Sequence, residues 1–288
     1  MQFNRFDSPS DFYEHAKDFL CANEAANNLI IGLAQQVMSP NNPYTESAYM
    51  ASVVVDDEIV AIAFRTPPHK LIFSDVAPEY VDSALDLILA DAHSTYGDSI
   101  PGTLGSKSIT KIVADKWHRM TGIKTELDMQ ERIYQLDAVI PVEGVSGHLR
   151  SIVEADRQLL EQWIYNFIME IWGDETLNNA EQRVDRMFTD TPEQGGCFIW
   201  ENEGEAVSMA LYTGSTPNGF RVGYVYTPQE HRKQGYASAV VAGVSQRVLD
   251  MGRKHVFLFT DLANPTSNHI YQEIGYRPIC DVDDYNFG

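Results

Sequence analysis

The residues best placed to do chemistry lie in one run, Tyr224 to Ala239. An alternating aromatic and β-branched stretch, Phe220 to Thr227, reads as a strand. Val240, Val241, Val244 and Val248 then recur at helical spacing, which predicts a helix over 237–251 with Gly252 at its C-terminal end. Between strand and helix lie Arg232, Lys233, Gln234, Gly235, Tyr236, Ala237 and Ser238. The first N–H groups of a helix have no partner within it and carry partial positive charge, so a loop feeding such a start suits phosphate. Gly235 and Ala237 leave room for that approach, and Arg232 and Lys233 add formal charge. No G-x-x-x-x-G-K-[ST] occurs, and no G-x-G-x-x-G follows a strand, which argues against a P-loop nucleotidase and a Rossmann dinucleotide site.

Arg232-x-x-Gly235-x-Ala237 resembles the acyl-CoA pyrophosphate loop of the GCN5-related N-acetyltransferases (GNAT). A second run, Asn264 to Tyr276, follows a strand at 255–260 and has Asn264, Asn268, Tyr271 and Gly275 in that family's order. Read without the resemblance, Asn264 suits a helix N-cap and Gly275 the position just past a helix end, while Asn268 and Tyr271 share one helix face. The likeness covers residues 148–288 and is faint in 1–140. It implies an α+β fold, a mostly antiparallel mixed sheet flanked by helices and splayed between two central strands. It also implies acetyl-CoA as co-substrate, direct attack by a primary amine, and no metal. Pantetheine would pair with the backbone of Val225, Tyr226 and Thr227, pyrophosphate would meet the amides from Lys233 to Ser238, and Asn264, Asn268 and Tyr271 would line the cofactor arm. By matching position, Tyr271 is the general acid, and Glu170 and Asp174 are candidates for the base.

The surrounding elements repeat. Each half reads as two helices, three strands, a helix, a strand, a helix and a strand, with a linker near 141–147. The expected division is therefore a GNAT-like N-terminal domain over 1–140 and a catalytic one over 147–288. In the first half the link after the third strand is Asp75-Val-Ala-Pro-Glu79, which lacks glycine and base and carries two carboxylates that would repel pyrophosphate. The N-terminal half thus reads as degenerate. One stretch of that half, 100–102, reads as the start of an irregular segment.

The chain has 288 residues, 21 basic and 41 acidic, for a net charge of −20. Residues 1–140 hold 10 basic and 20 acidic residues, so the excess is shared evenly. Such a field disfavours nucleic acid and anionic membranes and suits a small cationic amine. The three cysteines, Cys21, Cys197 and Cys280, are odd in number and far apart, which suggests reduced thiols in a cytoplasmic protein. No apolar run approaches the roughly 18 residues that span a bilayer. The expectation is a monomer or homodimer that binds acetyl-CoA or CoA and a small amine. Two alternatives stay open: an acyl-CoA sensor without turnover, and an aminoacyl-tRNA-dependent transferase, against which the absence of a basic stripe argues.

Overall fold

A computed structural model of the chain describes residues 1–173 and 180–288. In order the elements are β1 (Gln2–Arg5), α1 (Pro9–Ala22), α2 (Glu24–Met38), β2 (Tyr49–Val55), β3 (Glu58–Arg65), β4 (Leu71–Phe73), α3 (Val81–Tyr96), β5 (Gly102–Ser106), α4 (Lys107–Thr121) and β6 (Thr125–Leu136). The same order then recurs as β7 (His148–Ser151), α5 (Arg157–Ile171), α6 (Ala180–Thr189), β8 (Gly195–Asn202), β9 (Glu205–Thr213), β10 (Gly219–Tyr226), α7 (Tyr236–Asp250), β11 (His255–Asp261), α8 (Pro265–Ile274) and β12 (Arg277–Phe287).

The chain forms two compact units. The first comprises 1–134, 259–265 and 278–288, and the second 135–258 and 266–277. This differs from a cut into residues 1–140 and 147–288, because the last strand belongs to the first unit. There the strand order is β1-β2-β3-β4-β5-β12-β6. β12 lies antiparallel to β5, from Val282 opposite Ser106 to Asn286 opposite Gly102. Arg132 on β6 grips Asp281 through two nitrogens at 2.6 and 3.0 Å, and Lys70 pairs with Asp284. Local sequence pattern carries no information about which strand will sit beside β5.

Alternation along β2 and β3 builds two cores in the first unit. Ala51, Val53, Ala61 and Ala63 face α3 and α4 through Leu85, Ile88 and Trp117. Met50, Ile62 and Phe64 face α1 and α2 through Phe12, Leu20 and Ile31. Ser8 caps α1 by accepting the Asp11 N–H at 3.2 Å. Asp56 and Asp57, both at positive φ, turn β2 into β3, and Glu203 with Gly204 does the same for β8 and β9.

One strand is not expected from the sequence, and another has a place in the repeated order but begins where the residues read as irregular. β1 is a short edge strand with one large apolar side chain. β5 reads Gly-Thr-Leu-Gly-Ser, and a Cβ at Gly102 would lie 2.0 Å from the Tyr285 carbonyl oxygen and one at Gly105 2.8 Å from that of Phe73. The glycines that obscure β5 in the sequence are the ones its neighbours' backbones require.

In the second unit the order is β11-β10-β9-β8-β7. α5 and α6 cover one face, where Leu160, Ile164 and Val184 pack on Ile199 and Met209. α7 packs against β8, β9 and β10, with Val240, Val241, Val244 and Val248 fully buried. Arg150 on β7 binds Asp156 through two nitrogens at 2.7 and 2.9 Å and Glu201 at 2.5 Å, which ties the start of α5 to the edge of the sheet. Among the described residues, no helix is long and apolar enough to cross a membrane.

Candidate functional site

The site starts at an irregularity in β10. Its antiparallel register with β9 passes from Gly223 opposite Leu211 to Tyr226 opposite Met209, three steps along β10 against two along β9. One extra residue is therefore bulged out, and Tyr224 there has φ of +50°. A bulge removes backbone groups from the ladder and re-aims them. On the other side, β10 runs parallel to β11 from Gly219 opposite His255 to Arg221 opposite Phe257, and among the described residues the pairing ends there. The part of β10 holding Val225 and Tyr226 thus lies beyond that shared ladder, as the expected splay requires.

The carbonyl groups at the end of this strand are held in place. The Ser208 hydroxyl lies 3.1 Å from the Tyr226 oxygen and 2.8 Å from the Thr227 hydroxyl. Arg232 Nε donates to the Thr227 carbonyl at 2.9 Å, and its Nη2 meets Glu170 at 2.6 Å. Arg232, expected to lend its charge to a phosphate, is instead folded back across the loop. Glu170, beside it at the end of α5, holds Arg232 above the usual guanidinium range. The other candidate base, Asp174, lies outside the described residues.

The loop then enters α7. Lys233 and Gly235 both have positive φ, +65° and +84°. The first helical bond runs from the Ala239 N–H to the Gly235 carbonyl at 3.0 Å, so the N–H groups of Tyr236, Ala237 and Ser238 precede the ladder. Gly235 is the N-cap and offers no side chain to these donors. Its position also excludes one, because an added Cβ would lie 2.7 Å from Val145 Cγ2. Tyr236 turns inward, where its hydroxyl accepts from Asn202 at 3.1 Å. Gln234 reaches back to the Glu230 carbonyl at 3.4 Å.

Tyr271 lies on α8 and is 9% exposed. Burial pushes its hydroxyl up to about 12, against a hydrogen bond with the Ser267 side chain that lowers it. Its ring meets Tyr276 edge-on at 6.0 Å, and the Tyr276 hydroxyl is 2.8 Å from Ser245 on α7. Gly275, at φ of +110°, ends the helix, and the Tyr276 N–H returns to the Tyr271 carbonyl at 3.0 Å. Asn268 lies one turn before Tyr271 on the same helix, and Asn264 immediately precedes it, with its N–H on the Asp261 carbonyl at 3.1 Å.

Residues 160–276, which contain the bulge, the loop and the tyrosine helix, match the model of the acetyltransferase (GNAT) family. That segment carries the GNAT-family match. The GNAT fold extends beyond the matched segment. A Drosophila protein superposes at TM-score 0.70 over 99% of this chain and 98% of its own, with 10% identity. A tandem GNAT protein from the clavulanic acid biosynthesis pathway superposes at 0.62 over 100% and 98%, with 12% identity. A GCN5-related N-acetyltransferase from Sphaerobacter thermophilus does so at 0.61 over 99% and 95%, with 18% identity. No curated protein sequence matches significantly.

Sequence reading missed a pocket on the same unit, next to the bulge. It is lined by Arg183, Arg186 and Asp190 of α6 and the segment after it, by Gly196 and Tyr212, and by Tyr224 itself. Two arginines three residues apart on α6 were the only available signal, and on an amphipathic helix such a pair ordinarily marks the solvent side.

Proposed function

We propose that the second unit transfers an acetyl group from acetyl-CoA to the primary amine of a small molecule by direct attack in a ternary complex. The observation that carries this reading is the sequence of bulge, positive-φ loop and open helix start between Tyr224 and Ser238. An extended chain laid beside Val225–Thr227 would pair with freed backbone, as an added strand does. Its pyrophosphate would then meet the N–H groups from Lys233 to Ser238. Their donors and the start of α7 favour anions, which matters in a chain of net charge −20.

With the thioester carbonyl at the bulge, a backbone N–H there stabilises the developing oxyanion. The neutral amine attacks the carbonyl carbon, the C–N bond forms, and collapse breaks the C–S bond. The departing sulfur takes a proton from Tyr271, which at about 12 holds its proton throughout the neutral range. The nitrogen loses its proton to a base, for which Glu170 is the candidate, and Tyr271 is reprotonated as that proton passes on. Asn268, one turn before Tyr271 on the same helix, lines the cofactor arm. Holding both reactants together supplies much of the acceleration.

The first unit serves as a scaffold in this reading. Its counterpart of β10 is the three-residue β4, which pairs with β5 along its whole length, from Leu71 opposite Thr103 to Phe73 opposite Gly105. Its counterpart of the loop holds Asp75, whose carboxylate accepts from Ser106 at 2.5 Å. Neither arrangement favours a phosphate. Cys21, Cys197 and Cys280 are free thiols, in keeping with a cytoplasmic setting.

The test is acetyl-CoA-dependent release of thiol with a panel of primary amines, alongside melting curves with acetyl-CoA and CoA. Thiol release that requires an amine supports transfer. A melting shift without thiol release from any amine would leave the sensor reading in its place.

A further inference from the structure

The first unit has a pocket of its own, and every residue that lines it belongs to that unit. Ile30 of α2, Ile72 of β4, Leu104 of β5 and Val282 of β12 make its sides apolar. What it offers in the way of polar groups is acceptors. Asn27, near the start of α2, lines the pocket and is 7% exposed. Its amide nitrogen donates to the Leu20 carbonyl in α1 at 3.1 Å. Among the described residues its amide oxygen has no partner, although buried polar side chains ordinarily have one for each such atom. Asp75, in the link after β4, is exposed and lines the same pocket. Ser106 donates to its carboxylate at 2.5 Å, and among the described residues no cation pairs with it. Burial pushes the Cys280 thiol in the wall up to about 11, with the charges of Asp75 and Asp281 adding to the rise, so that group stays neutral. Asp281 is already matched by the two nitrogens of Arg132, which leaves Asp75 as the carboxylate without a counter-ion.

We propose that this pocket binds a short aliphatic primary amine as its ammonium ion, the head donating to the acceptors that Asp75 and Asn27 provide and the chain lying against the apolar sides. The site belongs to the first unit and does not depend on acetyl transfer by the second. An ammonium group has three donors and no acceptor, which is the complement of a carboxylate and an amide oxygen. A carboxylate or phosphate ligand would meet the same acceptors and be repelled. Size sets the chain. The cavity is about 30 Å³, whereas about 150 Å³ is needed to enclose a benzene ring, so a few carbons fit and a ring system does not. The link that carries Asp75 is thus unsuited to pyrophosphate and suited to a ligand of the opposite sign, which the net charge of −20 also attracts.

The experiment titrates n-butylamine, n-butanol and butyrate into the full chain by calorimetry at neutral pH. The three differ only in the head group. With five non-hydrogen atoms, n-butylamine should bind no more tightly than roughly micromolar. The alcohol should bind about 10- to 150-fold more weakly, the equivalent of about 1.5–3 kcal/mol for a charge-assisted hydrogen bond, and butyrate more weakly again. Asp75→Asn, at an exposed position, should bring the amine down to the level of the alcohol. A second readout needs no variant. Alkylation by iodoacetamide, followed peptide by peptide, should be slowed at Cys280 by the amine and left unchanged at Cys21, which lies outside the pocket. Equal binding of alcohol and amine overturns the proposal, and so does amine binding that survives in Asp75→Asn. Amine binding that leaves Cys280 labelling unchanged overturns it too, since the amine is then held elsewhere. Binding by none of the three also overturns it.

Discussion

Gly235→Ala isolates what the loop contributes. The substitution places a side chain at φ of +84°, and its Cβ would lie 2.7 Å from Val145 Cγ2. An L-residue in the left-handed region costs about 1–2 kcal/mol. Val145 is half-buried and can give way, so the contact adds about 1 kcal/mol, the low end for overpacking. Gly252, at the other end of α7, has φ of +85° with nothing within 4 Å of an added Cβ. Gly252→Ala therefore carries the backbone cost alone. The expected losses are about 2 kcal/mol at Gly235 and about 1 kcal/mol at Gly252, or roughly 4–8 °C and 2–4 °C in melting temperature. Binding should separate them more clearly. Shifting the helix start away from an anion removes at least one charge-assisted hydrogen bond, about 1.5–3 kcal/mol, and weakens acetyl-CoA by about 10- to 150-fold. Calorimetric titration of acetyl-CoA into the three proteins gives the comparison. Wild-type affinity in Gly235→Ala would refute the cradle, and an equal loss in Gly252→Ala would show a general loosening of α7 instead.

Tyr271→Phe should lower turnover by at least about 100-fold, the low end for a general acid, with acetyl-CoA affinity within about threefold, read by thiol release and titration. With this hydroxyl near 12, its loss of a proton should produce no fall in wild-type turnover below about pH 10, and an alkaline limb at lower pH would assign the acid elsewhere. The Arg150 guanidinium holds the Asp156 carboxyl below the usual carboxylate range. A lowered folded value means stabilisation that is present above the unfolded pKa of about 3.9 and is lost as pH falls through the folded value. Asp156→Asn should then cost about 1–3 kcal/mol in urea unfolding at pH 7, with the gap to wild type narrowing towards pH 3. Glu170→Gln should change stability by less than about 1 kcal/mol, since both partners of the Glu170–Arg232 pair are more than a third exposed. A clear fall in turnover in that same variant would therefore report chemistry at Glu170.

Legibility followed the range of the interactions. The order of elements in each half rests on local patterns, and nearly all of them stand where periodicity, caps and turns put them. The helix after the loop was readable because its four valines are all on the buried face. Ser8 and Gly275 mark helix ends through bonds that span a few residues. β5 was not readable because its sequence answers to the backbones of β4 and β12, which come from distant parts of the chain. At the candidate site, the family resemblance singled out Gly235 and Tyr271, while the direction of the Arg232 side chain depends on Glu170, which is 62 residues away. The Arg183–Arg186 pocket depends on where α6 lies over β8 and β9, which composition does not encode.

The place of β12 also bears on how the protein is made. The first unit needs that strand between β5 and β6, and the ribosome delivers it only after the stretch 135–258 of the second unit. At about 5–20 residues per second, the ~140 residues between the end of β6 and β12 take roughly 7–30 s to synthesise. Through that interval the edges of β5 and β6 await their partner, and the half translated first is the one completed last. A frameshift just ahead of β12 would leave the Arg232–Ser238 loop translated in full and strike the opposite unit, the one encoded before it.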